Sequence, residues 1–176
     1  MAAAPCTSQQ LLATPRFTVE RRVFARPGAA PLVREFIVHP GAAVILPILP
    51  NGRMVLVRQM RRGVESELVE LPAGTLDPGE APIETARREL EEETGFRAGR
   101  IEPLAEFFTS PGVMTERMHA FLATELEPVG QSLDEGEQIQ VEFFPPAKVR
   151  KMLVDGEFRD GKTIATLGLY FLRRPD

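Results

Sequence analysis

The stretch Gly74–Phe96, GTLDPGEAPIETARRELEEETGF, decides how the chain is read. Asp77-Pro78-Gly79-Glu80 is turn chemistry, with Pro78 fixing one φ and Gly79 free to take another. Pro82 is tolerated only in a helix's first turn, which predicts a helix starting near Ala81. Ile83, Ala86, Leu90 and Thr94 then recur as one core-facing stripe, and Gly95 supplies the stop.

On the same wheel, at about 100° per residue, Glu89, Glu92 and Glu93 fall in one arc beside the stripe, and Glu91 points elsewhere. Like charges three and four residues apart oppose a helix by roughly 0.2 to 0.5 kcal/mol per pair, and more where the core reduces solvation. A hard dication, Mg²⁺ or Mn²⁺, answers that repulsion, because it takes a few carboxylates and completes its shell with water and phosphate oxygens. The competing account is a solvated acidic face braced by pairs among Glu84, Arg87, Arg88 and Glu91. The spacing favours the cation.

These residues resemble the Nudix box, the signature of the Nudix hydrolase family, written G-x5-E-x7-R-E-U-x-E-E-x-G-U with U a bulky apolar residue. Gly74, Glu80, Arg88, Glu89, Leu90, Glu92, Glu93, Gly95 and Phe96 fill every specified position. The resemblance implies that Glu89, Glu92 and Glu93 hold the metal with the backbone carbonyl of Ala73. It also implies that Glu80 and Arg88 form an ion pair that orients the box, with Gly74 and Gly95 as structural positions.

Beyond the box, Thr109-Ser110-Pro111-Gly112 is by its own chemistry only a rigid turn. A Ser110-Pro111-Gly112 loop at this distance, with Glu116 downstream, is similar to the ADP-ribose pyrophosphatase branch of that family. Glu70-Leu71-Pro72-Ala73-Gly74 and Val57-Arg58-Gln59 are similar to that branch too. Asp134-Glu135-Gly136-Glu137 is a second acidic loop. Such a loop is ordinarily solvated, but in the branch it carries a glutamate acting as general base or extra metal ligand. Glu135 and Glu137 are both candidates, and the sequence does not divide the roles between them.

Arg58, Arg61 and Arg62 close a strand with three positive charges, either a solvated strand end or a cationic wall for an anionic substrate. The substrate-binding candidates are thus Arg58, Arg61, Ser110, Pro111, Gly112 and Glu116, and Phe107 or Phe108 could approach a base. The expected reaction is Mg²⁺-dependent hydrolysis of a nucleoside diphosphate linked to another moiety, foremost ADP-ribose to AMP and ribose 5-phosphate. The alternatives are another nucleoside diphosphate sugar, a dinucleotide, or a noncatalytic nucleotide-sugar sensor.

The rest of the chain fits one domain: 176 residues, 43% hydrophobic, enough for a sizeable core. The net charge of −4 supplies no global basic field, so no nucleic-acid partner is expected. Cys6 is the only cysteine, which excludes an intramolecular disulfide, and with two histidines a zinc cluster is poorly supplied. No signal-like or membrane-spanning run is read, and a cytoplasmic protein is expected.

Strands are predicted at 17–24, 32–38, 42–49, 54–59, 67–71, 101–108, 118–126 and 139–144, and helices at 147–154 and 163–172. Pro50-Asn51-Gly52 reads as a hairpin turn. The expected fold is α/β (α+β): an α/β/α sandwich of the Nudix type with a mixed central sheet, plus a small N-terminal antiparallel sheet. Residues 1–12 are expected to be loose, 13–40 to form the N-terminal strands of a homodimer, and 41–176 to form the hydrolase domain.

Overall fold

The computed structural model describes residues 6–133 and 136–174. The strands are β1 (Cys6–Ala13), β2 (Thr18–Phe24), β3 (Leu32–Val38), β4 (Ala42–Pro47), β5 (Met54–Arg61), β6 (Ser66–Glu70), β7 (Ala73–Thr75), β8 (Phe96–Phe108), β9 (Arg117–Pro128) and β10 (Ile139–Phe144). The α-helices are α1 (Pro82–Thr94), α2 (Pro146–Val154) and α3 (Gly161–Arg173). They form three sheets, ordered β1-β2-β3, β10-β5-β6 and β7-β4-β9-β8.

The organising strand is β4, whose apolar run AAVILP is buried throughout. Strand alternation sends its side chains to two cores. Ala42, Val44 and Leu46 join Val149 and Met152 of α2 and Leu167 and Phe171 of α3. Ala43 and Ile45 join Ala86 and Leu90 of α1. Helices on both faces explain why β4 reads as a continuous apolar run rather than as an alternation. The sheet is mixed, with β4 parallel to β9 and antiparallel to β7.

Three departures from the sequence reading have local causes. Residues 6–12, expected to be loose, belong to β1, which pairs antiparallel with β2 through a bulge between Gln10 and Leu12. All eight β1 residues are exposed, so backbone pairing and not burial makes the strand, and no apolar alternation marks it. At Pro50-Asn51-Gly52 the flanking strands share a single bridge, Ile48 to Met54, and then separate into different sheets. The turn is present, but the hairpin beyond it is not. The three-residue β7 is too short to carry a period.

Around the box, α1 starts at Pro82 as the turn chemistry predicts. Gly95 ends it with φ 73° and donates its N–H to the Glu91 carbonyl at 2.9 Å. A side chain there would meet the Gln131 backbone nitrogen at 2.8 Å, so both conformation and space require glycine. Strand β8 follows at once from Phe96 and absorbs Pro103 in a bulge before Ala105. Among the described residues no helix is long and apolar enough to cross a membrane.

Candidate active site

Helix α1 divides its glutamates as the wheel predicts. Glu91 faces away and makes a bidentate pair with Arg97 at 2.8 and 2.9 Å. Glu93 is only 4% exposed, next to buried Leu90 and Thr94. Its Oε2 accepts the Ala73 N–H at 3.0 Å, which ties the helix to β7. Burial pushes the Glu93 carboxyl up to about 8 against that hydrogen bond, and the charges of Glu89 and Glu137 push the same way.

Glu89 lies against the backbone of Gly74, where a Cβ would stand 1.8 to 2.4 Å from its carboxylate atoms. Burial raises its pKa as well, opposed by Arg88. Arg88 is the hub of the cluster. It binds Glu80 at 3.1 and 3.3 Å, Glu89 at 2.6 Å and Glu92 at 3.0 Å. Arg88 holds Glu80 down at about 2, helped by the Thr85 hydroxyl and the Asp77 N–H. The expected Glu80–Arg88 pair is therefore present, and the same guanidinium also neutralises two of the candidate metal ligands. The competing account is realised in part: Arg88 braces Glu89 and Glu92, whereas Arg87 reaches Glu84 only at 3.9 Å and Glu91 turns to Arg97.

This donor set fits a hard divalent cation. Among the described residues Glu93 is buried with no salt bridge, Glu89 is largely enclosed, and both are oxygen donors. Among the described residues no three acidic, His or Cys side chains already stand as a closed cage. Arg88 engages Glu89 through Oε1 and Glu92 through Oε2, one oxygen of each carboxylate. The Gly74 cradle gives a direct test. In Gly74→Ala the methyl must displace the Glu89 carboxylate, and we expect kcat to fall about a hundredfold with the melting temperature little changed. Steady-state kinetics beside a thermal melt reads both; normal turnover would remove Glu89 from the site.

Beside Ala73–Thr75 opens a cleft of about 1120 Å³. Arg61 and Glu70 line one wall, Phe107 and Phe108 another, and Glu137 approaches from the loop before β10. Arg16, Arg62, Arg159 and Lys162 add positive charge to that of Arg61 in the lining, whereas Glu89, Glu92 and Glu93 are not part of it. Phe107 packs against the core, while Phe108 is half-exposed beneath Arg117.

The predicted substrate-binding residues divide. Arg61 and Glu116 line the cleft. Arg58 does not: it lies on the opposite face of β5 and pairs with Glu142 at 2.6 Å, beside a separate small pocket. One residue of strand parity separates the two arginines from a shared wall. Ser110, Pro111 and Gly112 stay outside the lining, at the exposed tip of a turn in which Ser110 accepts from Val113 and Met114. The flanks of that turn hydrogen-bond Ile37 on β3, so the loop braces the N-terminal sheet and offers Thr109 and Glu116 to the cleft. Glu135 lies outside the described residues, whereas Glu137 is in the cleft, close enough to raise both Glu89 and Glu93.

The sequence reading missed Glu70, Asp160 and Lys162 as cleft residues. It also passed over Gln59, whose buried side-chain nitrogen finds no partner among the described residues and which lines the same cleft. Glu70 sat inside a quoted segment, but its Lys162 partner is 92 residues away and carries no local mark.

Comparison with known proteins agrees with this geometry. A family model described as the NUDIX domain matches residues 38–167. An ADP-ribose pyrophosphatase of Bacillus subtilis (strain 168) is 41% identical over 132 residues, 74% of this chain and 71% of that protein. A GDP-mannose pyrophosphatase of Pectobacterium atrosepticum is 38% identical over 136 residues, 72% of this chain and 70% of that protein. A solved structure titled "Crystal structure of ADP compounds hydrolase" superposes with a TM-score of 0.83 at 27% identity, covering 98% of this chain and 96% of that one. The box, the two-sided sheet that carries it and the family match over most of the chain agree: the protein belongs to the Nudix hydrolase family.

Proposed function

We propose that the chain is a pyrophosphohydrolase that cleaves ADP-ribose to AMP and ribose 5-phosphate with Mg²⁺. The observation that carries the reading is the placement of Glu93. It is a buried carboxylate bound to Ala73 of β7, whose residues line the cleft together with Arg61, Glu70 and Glu137. Phosphoanhydride hydrolysis asks for charge neutralisation and an oriented water more than for covalent chemistry. Divalent cations held by Glu89, Glu92, Glu93 and the Ala73 carbonyl would neutralise the diphosphate and acidify the attacking water.

The chain's own groups do the remaining work. Glu80 and Arg88 fix the start of α1 against the β7 edge. Arg61 presents a guanidinium to the cleft, suited to an anionic or hydroxyl-rich substrate. Glu137 stands where a carboxylate could take a proton from water, which is the base role in this reading. Phe108, half-exposed in the cleft wall, offers a flat face to a nucleobase.

The likeness to the GDP-mannose pyrophosphatase keeps a second nucleoside diphosphate sugar in view as the preferred substrate. We place the protein in the cytoplasm, working as a homodimer through the N-terminal sheet, where β1 leaves an unpaired edge and exposes Leu11 and Leu12.

The test is product analysis of the purified protein with ADP-ribose, GDP-mannose, other nucleoside diphosphate sugars and dinucleotides, each with Mg²⁺ and with chelator. Metal-dependent AMP release, fastest from ADP-ribose, is expected, from a particle of twice the chain mass in sedimentation. Preferential cleavage of GDP-mannose would reassign the substrate. Binding of ADP-ribose without any cleavage would make the protein a sensor.

A further inference from the structure

Glu70 is fully buried, yet two cations share its carboxylate. Arg61 donates from Nε at 2.9 Å and from Nη2 at 2.7 Å, a bidentate fork, and Lys162 donates from Nζ to the same carboxylate. Lys162, itself 12% exposed, also pairs with Asp160 at 2.9 Å. Two carboxylates and two cations thus balance inside the wall of the cleft. Burial pushes the Glu70 carboxyl up, but Arg61 and Lys162 together bring it below its ordinary value.

Glu70 alone is fully buried, while Arg61 stays partly exposed, and an ion pair around a buried carboxylate is weak evidence for stability because desolvation consumes most of its attraction. Its geometry serves something else. The fork on Glu70 uses Nε and Nη2 of Arg61, and among the described residues Nη1 makes no hydrogen bond in a side chain that lines the cleft. Asp160 meanwhile caps α3, accepting the Thr163 N–H at 2.9 Å and the Thr163 hydroxyl at 2.6 Å. That hydroxyl in turn accepts the Leu71 N–H at 2.9 Å. The first turn of α3 is therefore fastened to residues 70 and 71, two positions before Ala73 and the Glu93 contact.

We propose that Lys162 is a positioning residue: with Asp160 it clamps Glu70 so that Arg61 holds its free edge toward the bound nucleotide. This rests on the substrate reading above. It gives the C-terminal helix a role in recognition, although the helix contributes no residue to the box. Lys162 itself lines the cleft, and in this inference it acts through Glu70 and Arg61, so its effect belongs to substrate affinity.

In Lys162→Met the KM for ADP-ribose is expected to rise about tenfold, with the loss falling on KM far more than on kcat. Lys162→Arg should restore KM, since it keeps a donor cation in reach of Glu70. The double variant Glu70→Gln with Lys162→Met removes the unbalanced charge. It should regain melting temperature while KM stays high, because the anchor for Arg61 is still weakened. Recovery of both together would mean a merely structural role and overturn the inference. An unchanged KM in Lys162→Met, with wild-type turnover intact, would overturn it while leaving the substrate reading in place. If the wild type turns nothing over, calorimetric ADP-ribose affinities of the same variants decide the matter. A wild type that does not bind ADP-ribose removes both proposals.

Discussion

Glu93→Gln is expected to lower kcat about 10³-fold or more, a loss of the size that follows removal of a major electrostatic contributor, while the protein stays folded. The argument is local. The amide is the same size as the carboxylate, and its oxygen can still accept the Ala73 N–H that joins α1 to β7. What changes is charge in a place where charge is costly: burial already pushes this carboxyl up to about 8, so the metal-free fold loses nothing by neutralising it. The melting temperature without metal should hold or rise. Added Mg²⁺ should stabilise the wild type by mass action and the variant far less. AMP release and melts with and without Mg²⁺ check both halves. A variant that hydrolyses normally would end the assignment of Glu93 to the metal.

The part of this site that could be read in the sequence is the part built by local rules. Pro78, Gly79 and Pro82 fix where α1 begins, Gly95 fixes where it ends, and a helical period then separates Glu91 from Glu93 before any tertiary contact is known. The apolar run of β4 likewise announces a strand covered on both faces. What stayed hidden depends on other chains of contact. Arg58 and Arg61 look alike in sequence, and only the partner strands decide that one meets Glu142 on β10 and the other Glu70 on β6. β1 is made by pairing with β2 and buries nothing, so no periodicity reports it. Lys162 reaches Glu70 because α3 folds back over the sheet, a juxtaposition that no spacing encodes. Arg88 was legible as the partner of Glu80, but its hold on Glu89 and Glu92 follows from side-chain reach within the folded cluster.

That hold also bears on how the site fills. With Arg88 on Glu89 and Glu92, the helix carries its own internal counter-ion, which answers the like-charge repulsion of three glutamates along one face. Arg88 holds Glu80 at the same time, at 3.1 Å, with Thr85 and Asp77 fixing that carboxylate in place. A cation that takes Glu89 and Glu92 therefore does not strand the guanidinium.

Glu137→Gln should produce the other large loss, about 10² to 10⁴ in kcat if the carboxylate takes the proton from the attacking water. Glu137 lines the cleft, and its charge reaches both Glu89 and Glu93, so it lies close to where the diphosphate and the cations must meet. An amide there keeps the size of the side chain and loses the basic oxygen, so KM and the Mg²⁺-induced rise in melting temperature should change little. If Glu137 instead serves as a metal ligand, the Mg²⁺ concentration giving half-maximal rate must increase in the variant, and high Mg²⁺ must recover part of kcat. Glu135→Gln is the control within the same loop: a carboxylate that only adds negative charge near the cleft should cost much less than the base. Measuring kcat over pH and Mg²⁺ for both variants separates these roles. Equal small effects would show that neither glutamate is the base, leaving water activation to the α1 carboxylates and the cations they hold.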